Sequence, residues 1–380
     1  MFTADGQLKF SNPVSPPQNF KLYGVGKEPD ISEGTIQTMQ KWHSSLIESD
    51  SNGLNCIAPL TIGSSFHKKI RQHLTPIIKP GIKLSEISQI IENKCMELTR
   101  EQGTNYGIGF PPSLSLDNCA AHFNPSLKHD RIVNEDSVLK IDFGVNVCEW
   151  ITDCAFTIVF NEKYKLLLDA VKEATYHGVK TIAFDGVVSD WGSEIHEILN
   201  SYEYEGEPIK PIKNLGGHNI INGHIHGGEF LPSWKFNRGW NTHRFKENLY
   251  AVEVFGSTKS DRVEEKEEET TIYMSKLDEK TSLSARNIIP NNYLKVYDVT
   301  YSNFKRMPLC QKYIEKYSIF SEWKNDSKFI GKAFDYFNDK EIIKKYPPLY
   351  CIKGGMTAQY EHDIYVSDGK KIIFTQDTDY

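Results

Sequence analysis

The chain has 380 residues, 39% of them hydrophobic and 25% charged, with a formal net charge of −6. Such values predict a soluble globular protein, long enough to bury a large core and to form one to three domains. No stretch is basic enough to imply a nucleic-acid partner, and no apolar run reaches the length of a membrane span.

Residues 1–57 are irregular in pattern, with Pro13, Pro16, Pro17, Gly24, Gly26 and Pro29 interrupting any regular element. They read as an N-terminal segment either extended along the body or partly disordered, with one short helix near Thr35–Ile47. Periodic structure begins at residue 58. Ile62, Phe66, Ile70, Leu74 and Ile77 recur at helical spacing, and Pro80-Gly81 closes that helix. A second helix has Ser85 as its expected N-cap, with Ile87, Ile90, Ile91, Cys95 and Leu98 on its inner face. From Val138 to Phe160 the period shortens to two, Leu139, Ile141 and Phe143 alternating with Lys140 and Asp142. A further helix carries Tyr164, Leu167, Leu168, Val171, Ala174 and Val179. Strands are expected near Lys210–Ile212, Leu249–Phe255, His362–Val366 and Lys371–Thr375. The charge run Glu264–Glu269 predicts a solvated loop. Between about residues 300 and 345, Leu309, Tyr313, Tyr317, Phe320, Trp323, Phe334 and Phe337 predict two or three helices inserted into a mixed α/β domain.

The cysteines, Cys56, Cys95, Cys119, Cys148, Cys154, Cys310 and Cys351, are odd in number and form no Cys-x-x-Cys pair. They predict neither a zinc ribbon nor a disulfide framework, and hence a reducing compartment. The first thirty residues hold Asp5, Lys9 and Asn12 where a signal peptide would have an apolar core, so the expected location is the cytosol.

The chemistry is concentrated in Asp142, Asp153, His218, Glu253 and Glu361, each within a short β-like segment. Asp142 and Asp153 are eleven residues apart, which suits neighbouring antiparallel strands joined by a hairpin around Val145–Glu149. An Asp in a strand is most often a structural hydrogen-bonding residue, and a Glu such as Glu253 or Glu361 is most often solvent-facing. Carboxylates converging on one pocket would repel one another, and two divalent cations sharing a hydroxide would resolve that conflict. A second reading takes His224-x-His226 with Glu229 as the ligands, similar to the His-x-His site of cupin-type oxygenases. Its spacing to the acid is short for that family, and it leaves the other four carboxylates unexplained.

The stretches IKPG, GIGFP, LDNCAAHFNP, KIDFG, DCAFT, NLGGH, IHGG, VEVFGST, YPPL and QYEH resemble the type 2 methionine aminopeptidases from about Ile57 to Tyr380. The resemblance implies an α/β (α+β) domain over 58–380 with the pita-bread fold. That fold has two pseudo-symmetric halves around a curved antiparallel sheet, and the long gap between Glu253 and Glu361 would hold the type 2 helical insertion. It implies two divalent metal ions (Co, Mn, Fe or Zn), Asp142 binding one, Asp153 and Glu361 bridging, and His218 and Glu253 completing the other. It further implies Glu253 as proton shuttle, His122 as a substrate contact and His226 as a stabiliser of the tetrahedral intermediate. Phe110, Ile225, Phe255 and Tyr346 match positions that line the methionine pocket. Ile272 stands where eukaryotic members usually have a pocket histidine, and Gly216 replaces a common asparagine. The implied substrates are N-terminal Met peptides and nascent chains with a small second residue, acted on by a monomer without nucleic acid or membrane. The missing polybasic and acidic N-terminal extension argues against ribosome association by that route. X-Pro aminopeptidases and non-catalytic binding relatives share the fold and are the alternative readings.

Overall fold

The computed structural model describes residues 56–99, 106–235, 243–316 and 327–378. The expected N-terminal segment with its helix at Thr35–Ile47, and the positions Tyr317, Phe320 and Trp323, lie outside them. The first apolar period forms α1 (Ile57–Leu74), which tightens into a 3₁₀ turn at Thr75–Ile77. The chain then reverses at Gly81, whose φ of 98° is in the left-handed region that glycine adopts without strain. Helix α2 (Leu84–Thr99) begins one residue before its expected cap. Ser85 is inside the first turn, and its N–H and hydroxyl donate to the Asp130 carboxylate, so the orphan donors are satisfied from elsewhere in the chain.

Strand β1 (Tyr106–Leu116) has no counterpart in the sequence reading; Pro111-Pro112 and two glycines interrupt its alternation. The strand tolerates them through register shifts between Ile108 and Phe110 and between Phe110 and Ser113. After β2 (Cys119–Ala121), β3 (Val138–Val147) and β4 (Trp150–Val159) form the expected hairpin, turning at Cys148-Glu149. Both turn residues have positive φ, as a two-residue hairpin turn with the native twist requires. Helix α3 (Lys165–Thr181) follows as expected, then α4 (Val188–Asn200), which the sequence reading lacks. The Gly186, Gly192 and β-branched residues hid it, yet Val188, Trp191, Ile195 and Leu199 are buried at helical spacing.

Short strands β5 (Glu203–Tyr204), β6 (Glu207–Pro208) and β7 (Lys210–Pro211) lead to β8 (Gly217–Ile220), β9 (Phe230–Leu231) and β10 (Asn248–Ser257). Next come β11 (Val263–Glu265), which with a 3₁₀ turn at Glu267–Glu269 takes the place of most of the loop expected over Glu264–Glu269, and β12 (Ile272–Ser275). The insertion contains α5 (Glu279–Arg286), α6 (Leu294–Phe304), β13 (Leu309–Cys310), α7 (Gln311–Glu315) and α8 (Ser327–Asp339). The chain ends with β14 (Ile343–Tyr346), β15 (Leu349–Cys351), β16 (Thr357–Ser367) and β17 (Lys370–Ile373).

Two antiparallel sheets carry the architecture, β1-β3-β4 and β17-β16-β10-β8-β9, and each is backed by helices. In the first, His67 of α1 stacks on Phe143 with ring centroids 3.9 Å apart, and Arg71 of α1 reaches Cys154. In the second, Thr175 of α3 reaches the Tyr360 carbonyl and Tyr176 stacks on His362. Alternation then settles the other face. If Phe143, Cys154 and His362 point at helices, then Asp142, Asp153 and Glu361 point away from them. The sheets meet along β4 and β16 through side chains bonding to main chain: Thr157 Oγ1 to Gln359 O at 2.7 Å and Cys154 Sγ to Glu361 O at 3.2 Å.

Lys140 departs from the simple alternation, since it is buried on the polar face. Its ammonium donates to the carbonyls of Asp117 and Val138, and burial pushes its pKa down to about 7. The insertion packs its own core around Val296, Tyr297, Leu309, Tyr313, Phe334 and Phe337.

Strand β8 can approach β10 only because it starts with glycine. A Cβ at Gly217 would lie 2.4 Å from the Ala251 carbonyl oxygen, and one at Gly216 would lie 2.6 Å from that of Leu231. Both obstacles are backbone, so Gly217→Ala should lower stability by about 1–3 kcal/mol, as overpacking does. Urea unfolding of the two proteins measures this, and an unchanged midpoint would refute it.

Candidate metal centre

The five expected ligands come from strands whose registers place them together. Across the β3–β4 hairpin, Asp142 is opposite Ala155 and Asp153 opposite Gly144, so the two acids are diagonal neighbours on one face. Across β10 and β16, Glu253 is directly opposite Glu361. His218 of β8 is opposite Ala251, two residues from Glu253.

The side chains converge. His218 Nε2 is 3.6 Å from Asp153 Oδ2 and 3.8 Å from Glu253 Oε1. One ligand atom each from Asp153, His218 and Glu361 lies within a 4.8 Å span. Asp142 and Glu253 flank this trio rather than joining it. Asp142 lies near enough to raise the pKa of Asp153, Glu253 and Glu361.

Burial, then mutual repulsion, drives the electrostatics. Desolvation pushes Asp142 up to about 7, against a smaller opposing effect of the Gln359 amide. It also raises Asp153, Glu253 and Glu361 far above the ordinary carboxylate range, and the neighbouring acids add to each shift. Burial pushes His218 down to about 4, so its imidazole is neutral. Buried carboxylates this close cannot all ionise unless cations join them. One Asp142 oxygen is buried with no hydrogen-bond partner, as a vacant ligand atom would be. Oxygen donors with a single neutral imidazole fit hard or borderline divalent cations.

Beside the carboxylates lies a cavity walled by Phe110, Ile225, Phe255, Ile272 and Tyr346, all expected, and by Leu215 and Pro308, which were not. Ile272 is the cross-strand partner of Tyr346, so the position that departs from the family pattern forms part of the apolar wall. His122 and His226 also line the cavity. His122 sits at φ 66°, a left-handed conformation uncommon outside glycine, with its N–H donating to Ser113 Oγ at 2.8 Å. Burial holds its pKa at about 4. The His226 ring meets His218 edge-on at 4.5 Å, and its Nδ1 is 3.4 Å from the Tyr346 hydroxyl. Burial and the nearby His218 and His122 keep it neutral.

The His-x-His alternative is not assembled. Glu229 accepts from the Tyr250 hydroxyl at 3.2 Å and pairs with Lys246, and His226 faces the carboxylate cavity instead.

The sequence reading also passed over Gln359, whose Nε2 donates to Glu253 Oε2 at 3.1 Å. A period-two reading of TAQYEHD would have flagged Gln359 and Asp363 as sharing a face with Glu361.

The model of metallopeptidase family M24 matches residues 60–255. Among similar curated proteins, methionine aminopeptidase 2 of Sordaria macrospora is 33% identical over 370 residues, covering 95% of this chain and 81% of that protein. Methionine aminopeptidase 2 of Kluyveromyces lactis is 36% identical over 330 residues, covering 84% and 75%. Among solved structures, a methionine aminopeptidase from Thermotoga maritima superposes with a TM-score of 0.54 at 15% identity, covering 83% of this chain and 95% of that one. A thermophilic Arx1 gives 0.67 at 13% identity, covering 85% and 91%. These two likenesses are of fold alone.

The carboxyl shifts set a pH dependence for cation binding. Asp142 holds its proton up to about 7, whereas an unfolded Asp releases it near ~4. A cation must expel that proton, so affinity should rise with pH across this window and binding at pH 6 should release protons. The linkage sign agrees. A raised folded pKa withdraws stability from the metal-free protein as pH climbs through the window. His218 and His122, with lowered values, act the opposite way between about 4 and ~6.5. Calorimetric titration with manganese at pH 6, in buffers of differing ionisation enthalpy, counts the protons. A count of zero would contradict this account.

Proposed function

The chain belongs to metallopeptidase family M24, among the methionine aminopeptidase 2 proteins, and from that membership we propose how its own residues carry the reaction. It is a metallo-aminopeptidase with the pita-bread fold, and it hydrolyses N-terminal methionine from peptides. The substrates are initiator-methionine peptides and nascent chains with a small second residue, and the enzyme works as a monomer in the cytosol.

Asp142, Asp153, His218, Glu253 and Glu361 hold two divalent cations, drawn from manganese, cobalt, iron and zinc. The carboxylates' raised pKa values and the unpartnered Asp142 oxygen support this reading. When bound, such a pair supplies Lewis-acid stabilisation and lets a water ionise near neutral pH.

The remaining work falls to the chain. Phe110, Ile225, Phe255, Ile272 and Tyr346 surround the methionine side chain with apolar surface and exclude water from it. Glu253, fixed by Gln359 at one oxygen and near His218 at the other, takes the proton of the attacking water and passes it to the leaving amine. His122 and His226, neutral and half-buried, present N–H donors to the substrate and to its developing oxyanion. A free α-amino group is needed beside the buried acids, so only one residue leaves.

The observation that carries this reading is one cavity with both a crowded carboxylate wall and an apolar wall. Manganese-loaded protein should release methionine from Met-Ala-Ser, and Glu361→Gln should lose about 100-fold or more of that activity. Cleavage of Ala-Pro peptides with no release from Met-Ala-Ser would favour an X-Pro aminopeptidase. No cleavage of either would favour a binding-only role.

A further inference from the structure

The small sheet β13-β12-β14 has two distinct faces. Tyr273, Ile343 and Lys345 point to the helical insertion, where Tyr273 meets Phe334 and Lys345 pairs with Asp335 at 3.4 Å. Alternation sends their neighbours to the cavity. Ile272 is opposite Tyr346 across the strands, and two residues further along Met274 is opposite Lys344. Ile272, Met274 and Tyr346 are buried together in the apolar cluster, whereas Lys344 is exposed. Lys344 therefore stands on the cavity face of β14, at the rim.

The lysine is close to the groups that face the substrate. Its ammonium is 4.7 Å from the centre of the Tyr346 ring. That ring stacks on His226 at 5.7 Å and meets His122 edge-on at 5.6 Å. Burial does most to lower the pKa of both histidines, and the charge of Lys344 adds to each shift, so its field reaches into the cavity. Among the described residues Lys344 has no ion-pair partner, whereas Lys305, Lys312 and Lys345 each have one. Contact with one aromatic face leaves the ammonium's N–H donors available to another group.

We propose that Lys344 is a specificity-determining residue that binds a carboxylate on the downstream part of the substrate, from an acidic side chain or from the C-terminus of a short peptide. This rests on the aminopeptidase reading above. With the methionine side chain against the apolar wall and the free amine beside the buried acids, the rest of the peptide passes the rim. Each residue of an extended peptide spans about 3.3–3.6 Å. The carboxylate therefore belongs to the third residue or one close beyond it. It is far from the bond that breaks, so Lys344 stabilises bound substrate and transition state alike, and the benefit falls on KM rather than kcat.

Two pairs of peptides test this on manganese-loaded protein: Met-Ala-Ser as the free acid and as its amide, and the amides of Met-Ala-Asp-Ala and Met-Ala-Asn-Ala. The first pair reads a terminal carboxylate and the second a side chain. In at least one pair the acidic member should have the higher kcat/KM, by about 2- to 5-fold at low salt and through KM. That advantage should vanish at about 1 M salt. Lys344→Met keeps an unbranched stem against Tyr346 and removes the charge, so it should abolish the preference. Lys344→Arg should keep it, and Lys344→Glu should invert it. Each result is a ratio between two peptides, which a general loss of activity does not move. The proposal is overturned if the wild-type protein treats both pairs alike at low salt, or if Lys344→Met retains the preference. Release of no methionine from any of these peptides would instead overturn the aminopeptidase reading on which it rests.

Discussion

Four carboxyl groups crowded into one cavity are the constraint on which this molecule is built. Asp142, Asp153, Glu253 and Glu361 could each lower their own free energy by moving apart or into water. They stay because each is on a different strand, and those strands are locked by hydrogen-bond ladders and by helices on their outer faces. Glu253 and Glu361 are direct cross-strand partners in the middle of a ten-pair ladder. Neither can turn away without breaking the register of both strands. The sheets are thus a rigid frame that holds repulsion in place until a counter-charge arrives.

The seam between the sheets has an unusual chemistry that follows from this role. Adjacent strands normally join by main-chain ladders. Here β4 and β16 join by Thr157, Cys154 and Asp363 reaching across to the neighbouring backbone. Side-chain bridging joins β4 to β16 where no main-chain ladder pairs them. It also brings Asp153 and Glu361, from opposite halves, close to one imidazole.

Legibility in the sequence divides along the same lines. The ligand strands could be read because a lone acid amid alternating apolar residues is a strong local signal: Asp142 between Ile141 and Phe143, Glu253 between Val252 and Val254. The family motifs around them supplied the order. Strand β1 could not be read, since its prolines are tolerated only through bulges that pairing with β3 makes possible. Helix α4 was hidden by glycines that pack tightly against backbone; a Cβ at Gly192 would lie 2.3 Å from the Pro232 carbonyl. Asp363 was within reach of a period-two reading, since it is two residues from Glu361 on one strand. The cap at Ser85 failed for a non-local reason, because the acceptor is Asp130, far along the chain.

The cavity's two walls have different origins. The carboxylate wall comes from the long strands of the paired sheets. The apolar wall comes partly from the small sheet β13-β12-β14, where Ile272 pairs with Tyr346 on one side and Cys310 on the other. That small sheet leans on the core of the helical insertion, with Tyr273 edge-on to Phe334 at 4.8 Å. The insertion is itself fastened to α2, where Glu92 pairs with Lys312 and accepts from the Tyr313 hydroxyl. The apolar wall therefore rests on an element separable from the strands that carry the acids. Substitutions within the insertion can reshape the pocket through Ile272, Pro308 and Tyr346 without disturbing the register that crowds the acids. Ile272 lies on the separable side of that division, so its departure from the family pattern alters the apolar wall and leaves the carboxylate wall as it is.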